Sequence, residues 1–451
     1  MSSFIKSGVR LWKHQEQLVS SAINHGSYNL WFAGCGTGKT LSSIVLADRL
    51  EAKRILVLTT KAAMVSVWKN EIDKWTFNTH TVVPIGSGRF RRASLTKSYS
   101  PYTPTFYVIN YEFAWRVEEL LSTIPFDLVI ADECHKLQSH SGRSSTILAM
   151  ACRNIKYKLA MTGTLMEDKV TQVYGQVRFL DSKIYRNKPV STIFGRYTEF
   201  RNQFEVTKTL PSRAVIVVGS KNLGRLAETI APFTCRLDSD KVLDLPVYLD
   251  IYRYVDIDKP TLNMYEDMRK YKITETDRGT LVVDNKLTQF IRLQEIVLGH
   301  YRDGNLFADP MLEQLHSLIG EIGNKPIVIY VKFVRDVQRI SDILDNKVCY
   351  LTGSVNELAD WKAGKYNILI ANIAAGSESV DLTRARYVIY YSKSFSRTQY
   401  IQSRYRVYRP PAKDKITYYH IVARNTIVEY IEEALAKKAK VTDYLTERLE
   451  K

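Results

Sequence analysis

Ala33-Gly34-Cys35-Gly36-Thr37-Gly38-Lys39-Thr40 is the stretch on which the reading of the chain turns. An apolar run, Tyr28 to Phe32, leads into it and an amphipathic run, Leu41 to Leu50, leads out, so a glycine-rich loop joins a strand to a helix. Glycines let backbone N–H groups approach phosphate oxygens at a helix N-terminus, where the dipole favours an anion. Lys39 would bring charge to the β- and γ-phosphates, and the Thr40 hydroxyl is placed to hold Mg2+. Gly34, Gly36, Thr37, Gly38, Lys39 and Thr40 are therefore the expected nucleotide-binding residues.

A phosphate loop needs an acidic partner at the end of a later apolar strand. Leu128-Val129-Ile130-Ala131-Asp132-Glu133-Cys134-His135 supplies it. Two adjacent carboxylates there have separate jobs: Asp132 is expected to hold Mg2+ through its water shell, and Glu133 to polarise an attacking water as general base. For His135 two readings stand, a satisfied structural histidine and a relay between the nucleotide site and the next motif.

Working outward, short apolar runs recur at Ile55 to Thr59, Phe106 to Asn110, Asp127 to Ala131 and Lys158 to Thr162, then again at Ile327 to Val331, Asn367 to Ala371, Tyr387 to Tyr391 and Ile416 to Val422. Continuous runs of this length suit strands buried on both faces, and the helical stretches between them predict parallel sheets with covered faces. The fold class is α/β, with two such units. Between them the texture turns Tyr- and Arg-rich, which predicts a mainly helical insertion and connector. The expected boundaries are 1–170 for the first unit, 171–300 for the insertion and connector, and 301–451 for the second unit with a C-terminal helix.

The 451 residues carry a net charge of +17, an excess that favours polyanionic partners such as nucleic acid. Five widely spread cysteines without a C-x-x-C pair argue against a disulfide framework or a zinc site. The N-terminus has no apolar stretch after its basic residues, and no run approaches the length that spans a bilayer. The expectation is a soluble cytoplasmic protein with no membrane partner.

Ala33 to Thr40, Asp132 to His135, and Met161-Thr162-Gly163-Thr164 together resemble motifs I, II and III of the superfamily 2 helicases and translocases, whose first motif also opens with Ala. The chain is most similar to the Swi/Snf-type DNA-dependent ATPases within that superfamily. Leu11-Trp12-Lys13-His14-Gln15 resembles their opening motif, in which the Gln reads the adenine edge; Ile55 to Thr60, followed by Trp68, Glu71 and Trp75, resembles motif Ia. Tyr107 to Glu112, Val177 to Leu180, Phe194, Phe200-Arg201, Phe204, Ile230 to Phe233 and Leu293 to Ile296 also fit. The resemblance runs from Leu11 to about Leu435.

In the second half, Gln402-Ser403-Arg404-Tyr405-Arg406-Val407-Tyr408-Arg409 matches the Q-x-x-x-R-x-x-R of motif VI. The resemblance implies that Arg406 and Arg409 reach the γ-phosphate, with Gln402 lining the same site; such arginines stabilise charge on the transferring phosphoryl group. Ala375-Gly376 to Leu382 resembles motif V, with Ser379 where the family has Gly and Asp381 where it has Asn; an Asp there implies a ribose contact. Phe395 replaces a Trp, and Pro410-Pro411 replace Gly-Gln.

The resemblance further implies two RecA-like parallel-sheet lobes, ATP and Mg2+ as cofactors, and coupling through His135, Thr162 and Thr164. It places Thr59, Thr60, Lys61, Tyr111 and Thr352 as candidate contacts to sugar and phosphate, which position without reading sequence. The implied function is an ATP-driven motor moving on double-stranded DNA. A strand-separating DNA or RNA helicase and a catalytically silent nucleic-acid clamp are the rival readings. Little room remains beside the lobes for a histone-reading, zinc-binding or nuclease module, so a minimal motor is expected that works alone or takes its target from a partner protein.

Overall fold

The structure is a computed structural model that describes residues 3–61, 63–77, 79–82, 103–163, 165–166, 169–209, 215–243, 247–277, 279–301, 309–376, 380–409 and 415–437. The chain divides into two compact units, Met1–Asp244 and Leu245–Lys451.

In the first unit the strands β1 (Tyr28–Ala33), β2 (Arg54–Thr59), β3 (His80–Val82), β4 (Thr105–Asn110), β5 (Leu128–Asp132) and β6 (Tyr157–Thr162) are followed by two hairpins. These are β7 (Ser182–Tyr185) with β8 (Lys188–Ser191), and β9 (Glu205–Thr209) with β10 (Val215–Ser220); β11 (Thr234–Leu237) comes last. The main sheet has the order β11-β1-β6-β5-β2-β4-β3 and is parallel throughout. Successive residues of one strand belong to different cores: Leu56 and Leu58 pack with Val129, Ala131 and Tyr107, while Ile55 and Val57 pack with Ile130, Phe106 and Val108. Both faces of the strands are therefore buried, which is why they read as unbroken apolar runs.

The second unit repeats the plan. Its strands are β12 (Tyr248–Val255), the hairpin β13 (Ile273–Thr276) with β14 (Gly279–Val282), β15 (Ile327–Val331), β16 (Cys349–Leu351), β17 (Ile368–Asn372), β18 (Tyr387–Tyr390) and β19 (Ile416–Ala423). A six-stranded parallel sheet forms in the order β12-β19-β18-β15-β17-β16. Ile327, Ile329 and Val331 face one core and Val328 and Tyr330 the other.

The α/β class and the two parallel sheets agree with the expectation from sequence. The stretch 171–300 differs from it in two ways. It is divided between the units at Asp244 and Leu245 rather than forming a piece of its own. It also holds strands that the apolar-run reading did not give: three hairpins interrupt its helices, and β11 and β12 extend the two sheets. Its edge strands β11 and β12 each pair on one side only, so they carry polar residues that hide them from an apolar-run reading. No helix among the described residues is long and apolar enough to cross a membrane.

Candidate active site

Because β1, β6 and β5 are parallel neighbours, their carboxyl ends lie on one edge of the sheet, where Phe32 stands beside Thr162 and Asp132 beside Met161. Ligands of open parallel sheets bind outside that edge. The loop leaving β1 enters helix α2 (Lys39–Arg49) through Gly38, whose φ of 79° is left-handed and suits glycine. A Cβ on Gly38 would also lie 2.0 Å from Gln15 Nε2, so the amide of Gln15 is packed onto the loop. Its Oε1 accepts from Trp12 N at 2.9 Å, at the start of helix α1 (Lys13–His25).

Three further bonds shape the loop. Thr37 Oγ1 donates to Gly34 O at 2.8 Å, His14 Nε2 lies 3.1 Å from Thr37 O, and Ser239 Oγ donates to Cys35 O at 2.7 Å. Gly34 N also donates to Leu237 O at 3.0 Å, and a Cβ on Gly34 would fall 2.0 Å from Ser239 Oγ. Lys39 Nζ donates to Ala33 O at 2.8 Å and Gly34 O at 3.0 Å, which holds the ammonium across the loop. The Thr40 side chain is half-buried at the first turn of α2.

Asp132 ends β5 almost wholly buried. Its Oδ2 accepts from Trp68 Nε1 at 2.9 Å and Thr59 Oγ1 at 3.1 Å, and its Oδ1 from Glu133 N at 3.0 Å. Burial and the neighbouring Glu133 push its carboxyl above the ordinary Asp value, against the pull of Trp68, Lys39 and Thr59. Glu133 has a left-handed φ of 49°, a conformation that costs a non-glycine residue energy and concentrates at functional sites. His135 Nδ1 lies 3.2 Å from Glu133 Oε2, so the histidine touches that carboxylate.

Of the five candidate nucleic-acid contacts, three are corrected. Thr59 is fully buried and turned to Asp132; Tyr111 is buried, its hydroxyl donating to Asp132 O at 2.6 Å; Thr60 is buried, its Oγ1 accepting from Ala63 N. The Thr59 and Tyr111 hydroxyls donate to the acidic strand end, and Thr60 is turned inward onto its local turn, 6% exposed. Lys61 is exposed, and half-buried Thr352 accepts from Val355 N at 3.1 Å in a turn after β16. Thr162 is fully buried at the end of β6, and Thr164 lies outside the described residues.

In the second unit Gln402 and Arg406 lie on one face of the helix Arg397–Val407, four residues apart, with Arg409 three residues further on, just beyond its end. The opposite face is fixed: Tyr330 and Tyr418 hydroxyls donate to Ser403 O and Arg404 O, and Tyr390 OH lies 2.7 Å from Ser403 Oγ. Arg404 grips Asp250 of β12 with two bonds of 2.7 and 3.1 Å. Asp381 accepts from Thr383 N and Oγ1 and pairs with Lys362 at 3.3 Å. Burial raises its carboxyl, but those bonds with Arg409 and Lys362 hold it below the ordinary value.

Sequence reading missed Ser239, His14 and Asp250 as positioning residues, and it quoted Trp68 without a role. Ser239 stands 204 residues from the carbonyl it holds, so no local signal could reveal it. The donor set fits a nucleotide-bound Mg2+: one hydroxyl, Thr40, and one buried carboxylate, Asp132, whose charge the protein compensates only in part. Among the described residues no three His, Cys, Asp or Glu side chains cluster to cage a metal. Mg2+ is commonly held by one or two carboxylates together with substrate phosphates and water.

Residues 24–300 match the SNF2-related domain and residues 311–411 the helicase conserved C-terminal domain. Protein p41 of Acyrthosiphon pisum secondary endosymbiont phage 1 is 24% identical, over 97% of this chain and 98% of its own length. The ISWI chromatin-remodeling complex ATPase ISW2 of Saccharomyces cerevisiae is 22% identical over 97% of this chain, which spans 41% of its length. The Sulfolobus solfataricus SWI2/SNF2 ATPase core, solved in complex with dsDNA, is 19% identical with a TM-score of 0.44, covering 97% of this chain and 92% of that one. The family model covers more than half of the chain, which therefore belongs to the SNF2-related family and is an ATP-hydrolysing motor of helicase type.

Proposed function

We propose that the chain couples ATP hydrolysis to movement along double-stranded DNA without full strand separation. The observation that carries this is the loop Gly34 to Thr40 set beside buried Asp132 and left-handed Glu133 in a member of the SNF2-related family. Lys39 would exchange the carbonyls of Ala33 and Gly34 for phosphate oxygens, and the amides of the loop and the α2 N-terminus would take the rest. Thr40 and Asp132 would hold Mg2+, which neutralises phosphate charge when bound. Glu133, steadied by His135, would accept the proton of the attacking water. Gln402, Arg406 and Arg409 would stabilise charge on the transferring phosphoryl group, and Asp381 would contact the ribose. Thr162 and Thr164 would couple hydrolysis to the grip on nucleic acid, with Lys61 and Thr352 as the remaining candidate contacts. The net charge of +17 supports a polyanionic track. A protein partner would supply targeting.

The test is phosphate release with no nucleic acid, single-stranded DNA, double-stranded DNA or duplex RNA at one low salt concentration. We expect the largest stimulation from double-stranded DNA and loss of turnover in Lys39→Ala. Normal turnover in Lys39→Ala would sink the assignment of the site. Strongest stimulation by single strands or RNA, with unwinding of a tailed duplex, would replace translocation by strand separation.

A further inference from the structure

The Tyr- and Arg-rich stretch after Asp181 splits into two fates. Phe194, Phe200 and Phe204 are buried in the core, and Tyr197 stacks on His140 with ring centroids 3.4 Å apart. Tyr185 is left out, 42% exposed at the tip of the β7–β8 hairpin, and every residue from Lys183 to Lys188 is exposed.

The root of this hairpin is clamped while its tip is free of packing. Buried Asp181 accepts from Ser191 Oγ at 2.6 Å, Thr192 Oγ1 at 3.1 Å and Ile193 N at 2.9 Å, and Ser182 Oγ donates to Ala149 O at 2.7 Å. The two turn residues, Arg186 and Asn187, have φ of 46° and 59°. Two-residue hairpins with both φ positive favour Asn-Gly or Gly-Gly, and an arginine there costs conformational energy that glycine would spare. The tip therefore keeps a cation where stability alone would remove it. The guanidiniums of Arg186 and Arg196 lie 5.4 and 6.0 Å from the Tyr185 ring centroid, so an exposed ring carries two cations against it. From Ser182 to Arg196 the sequence holds four cations, Lys183, Arg186, Lys188 and Arg196, and no carboxylate. Beyond the hairpin, Glu199 pairs with Arg196 at 2.7 Å.

A rigidly rooted, strained, cationic tip with an aromatic centre fits the sugar-phosphate backbone of a nucleic acid. We infer that the β7–β8 hairpin is a second DNA contact of the motor, gripping duplex backbone through Arg186 and Lys188 with Tyr185 ordering the cations. This rests on the reading of the chain as a motor on double-stranded DNA.

The test follows binding of a short labelled duplex by fluorescence anisotropy between about 50 and 200 mM salt. For Arg186→Ala with Lys188→Ala, the slope of log affinity against log salt should become shallower by about 1.8, two phosphate contacts at about 0.9 each. Arg186→Lys with Lys188→Arg keeps both charges and should keep the slope. Tyr185→Ala should weaken binding about threefold with the slope unchanged, as loss of an uncharged contact. Arg186→Gly relieves the positive φ, so a slope shallower by about 0.9 at an unchanged or raised Tm separates lost contact from lost folding. If wild type binds duplex and the double alanine variant shows the same affinity and slope, the hairpin contact is overturned and the motor reading stands. If the variant instead loses self-association and keeps its salt slope, the surface joins copies of the chain and the inference is again overturned. If wild type itself binds no duplex, the motor reading falls and takes the hairpin with it.

Discussion

Ser239 shows how one residue can shape a loop that it does not neighbour in sequence. Its hydroxyl donates to Cys35 O, its bulk forbids a side chain at Gly34, and the preceding β11 accepts from Gly34 N at Leu237 O. A hydrogen bond of this kind contributes about 1 kcal/mol. If the bond serves mainly to hold the loop in its phosphate-accepting shape, Ser239→Ala should raise KM for ATP several-fold and leave kcat within about twofold, since uniform binding is what is lost. Steady-state kinetics at saturating DNA check this, and an unchanged KM would remove Ser239 from the site. The nucleotide loop and the Asp-Glu pair were legible because their chemistry demands fixed residue types at fixed local spacing. Ser239 was not, since a lone serine on a short helix carries no such constraint. Thr59 and Tyr111 were misread for a related reason: a hydroxyl after a strand looks alike whether it faces a ligand or the acid of the next strand.

At the scale of elements, the strands that were legible are those buried on both faces, such as β2, β5, β15 and β18. The edge strands β3, β11, β12 and β16 lack that signature. β12 matters most, since it brings Asp250 to a buried ionic group. Asp250 accepts from Arg404 and from His420 Nε2 at 2.9 Å, while His420 Nδ1 lies 2.6 Å from Lys393 Nζ, which also pairs with Glu432. A carboxylate can only accept, so Nε2 carries the imidazole proton and Nδ1 accepts from the ammonium. Burial works against the charge of Asp250, yet the bonds from His420 and Arg404 bring it down to about 2. Burial pushes His420 below its ordinary value and Lys393 pushes the same way, with Asp250 and Glu432 opposing. The folded chain thus holds His420 neutral where the unfolded chain would protonate it. Stability from this group is present above the ordinary imidazole value of 6.5 and is lost as pH falls below it, because the unfolded state then binds more protons. We expect Tm to drop between about pH 7 and pH 5.5 by a smaller margin in His420→Gln than in wild type, although the variant starts lower. Equal pH dependence in the two proteins would contradict the assigned protonation state.

For the whole molecule, each unit owns its cores. The two apolar clusters of the first unit draw on residues from Phe4 to Leu237, and the two of the second on residues from Val255 to Leu435. Among the described residues the two apolar clusters of the first unit include no residue after Asp244, so residues 1–244 are expected to fold alone. That fragment carries Gln15, the loop Gly34 to Thr40, Asp132, Glu133 and Ser239, which is the whole proposed set for binding nucleotide apart from Asp381. It lacks Gln402, Arg406 and Arg409. Arginines that stabilise phosphoryl transfer are worth about 10³ to 10⁵ in rate, far more than their share of ground-state affinity. Residues 1–244 should therefore bind a fluorescent ATP analogue within about tenfold of the intact chain and hydrolyse ATP at least about 10³-fold more slowly. Binding without turnover would assign the chemistry to both halves of the chain. Turnover at the rate of the intact chain would mean that the arginines of the helix Arg397–Val407 and its end act on nucleic acid rather than on ATP, and folded fragment without ATP binding would move Asp381 from an accessory ribose contact to a requirement for affinity.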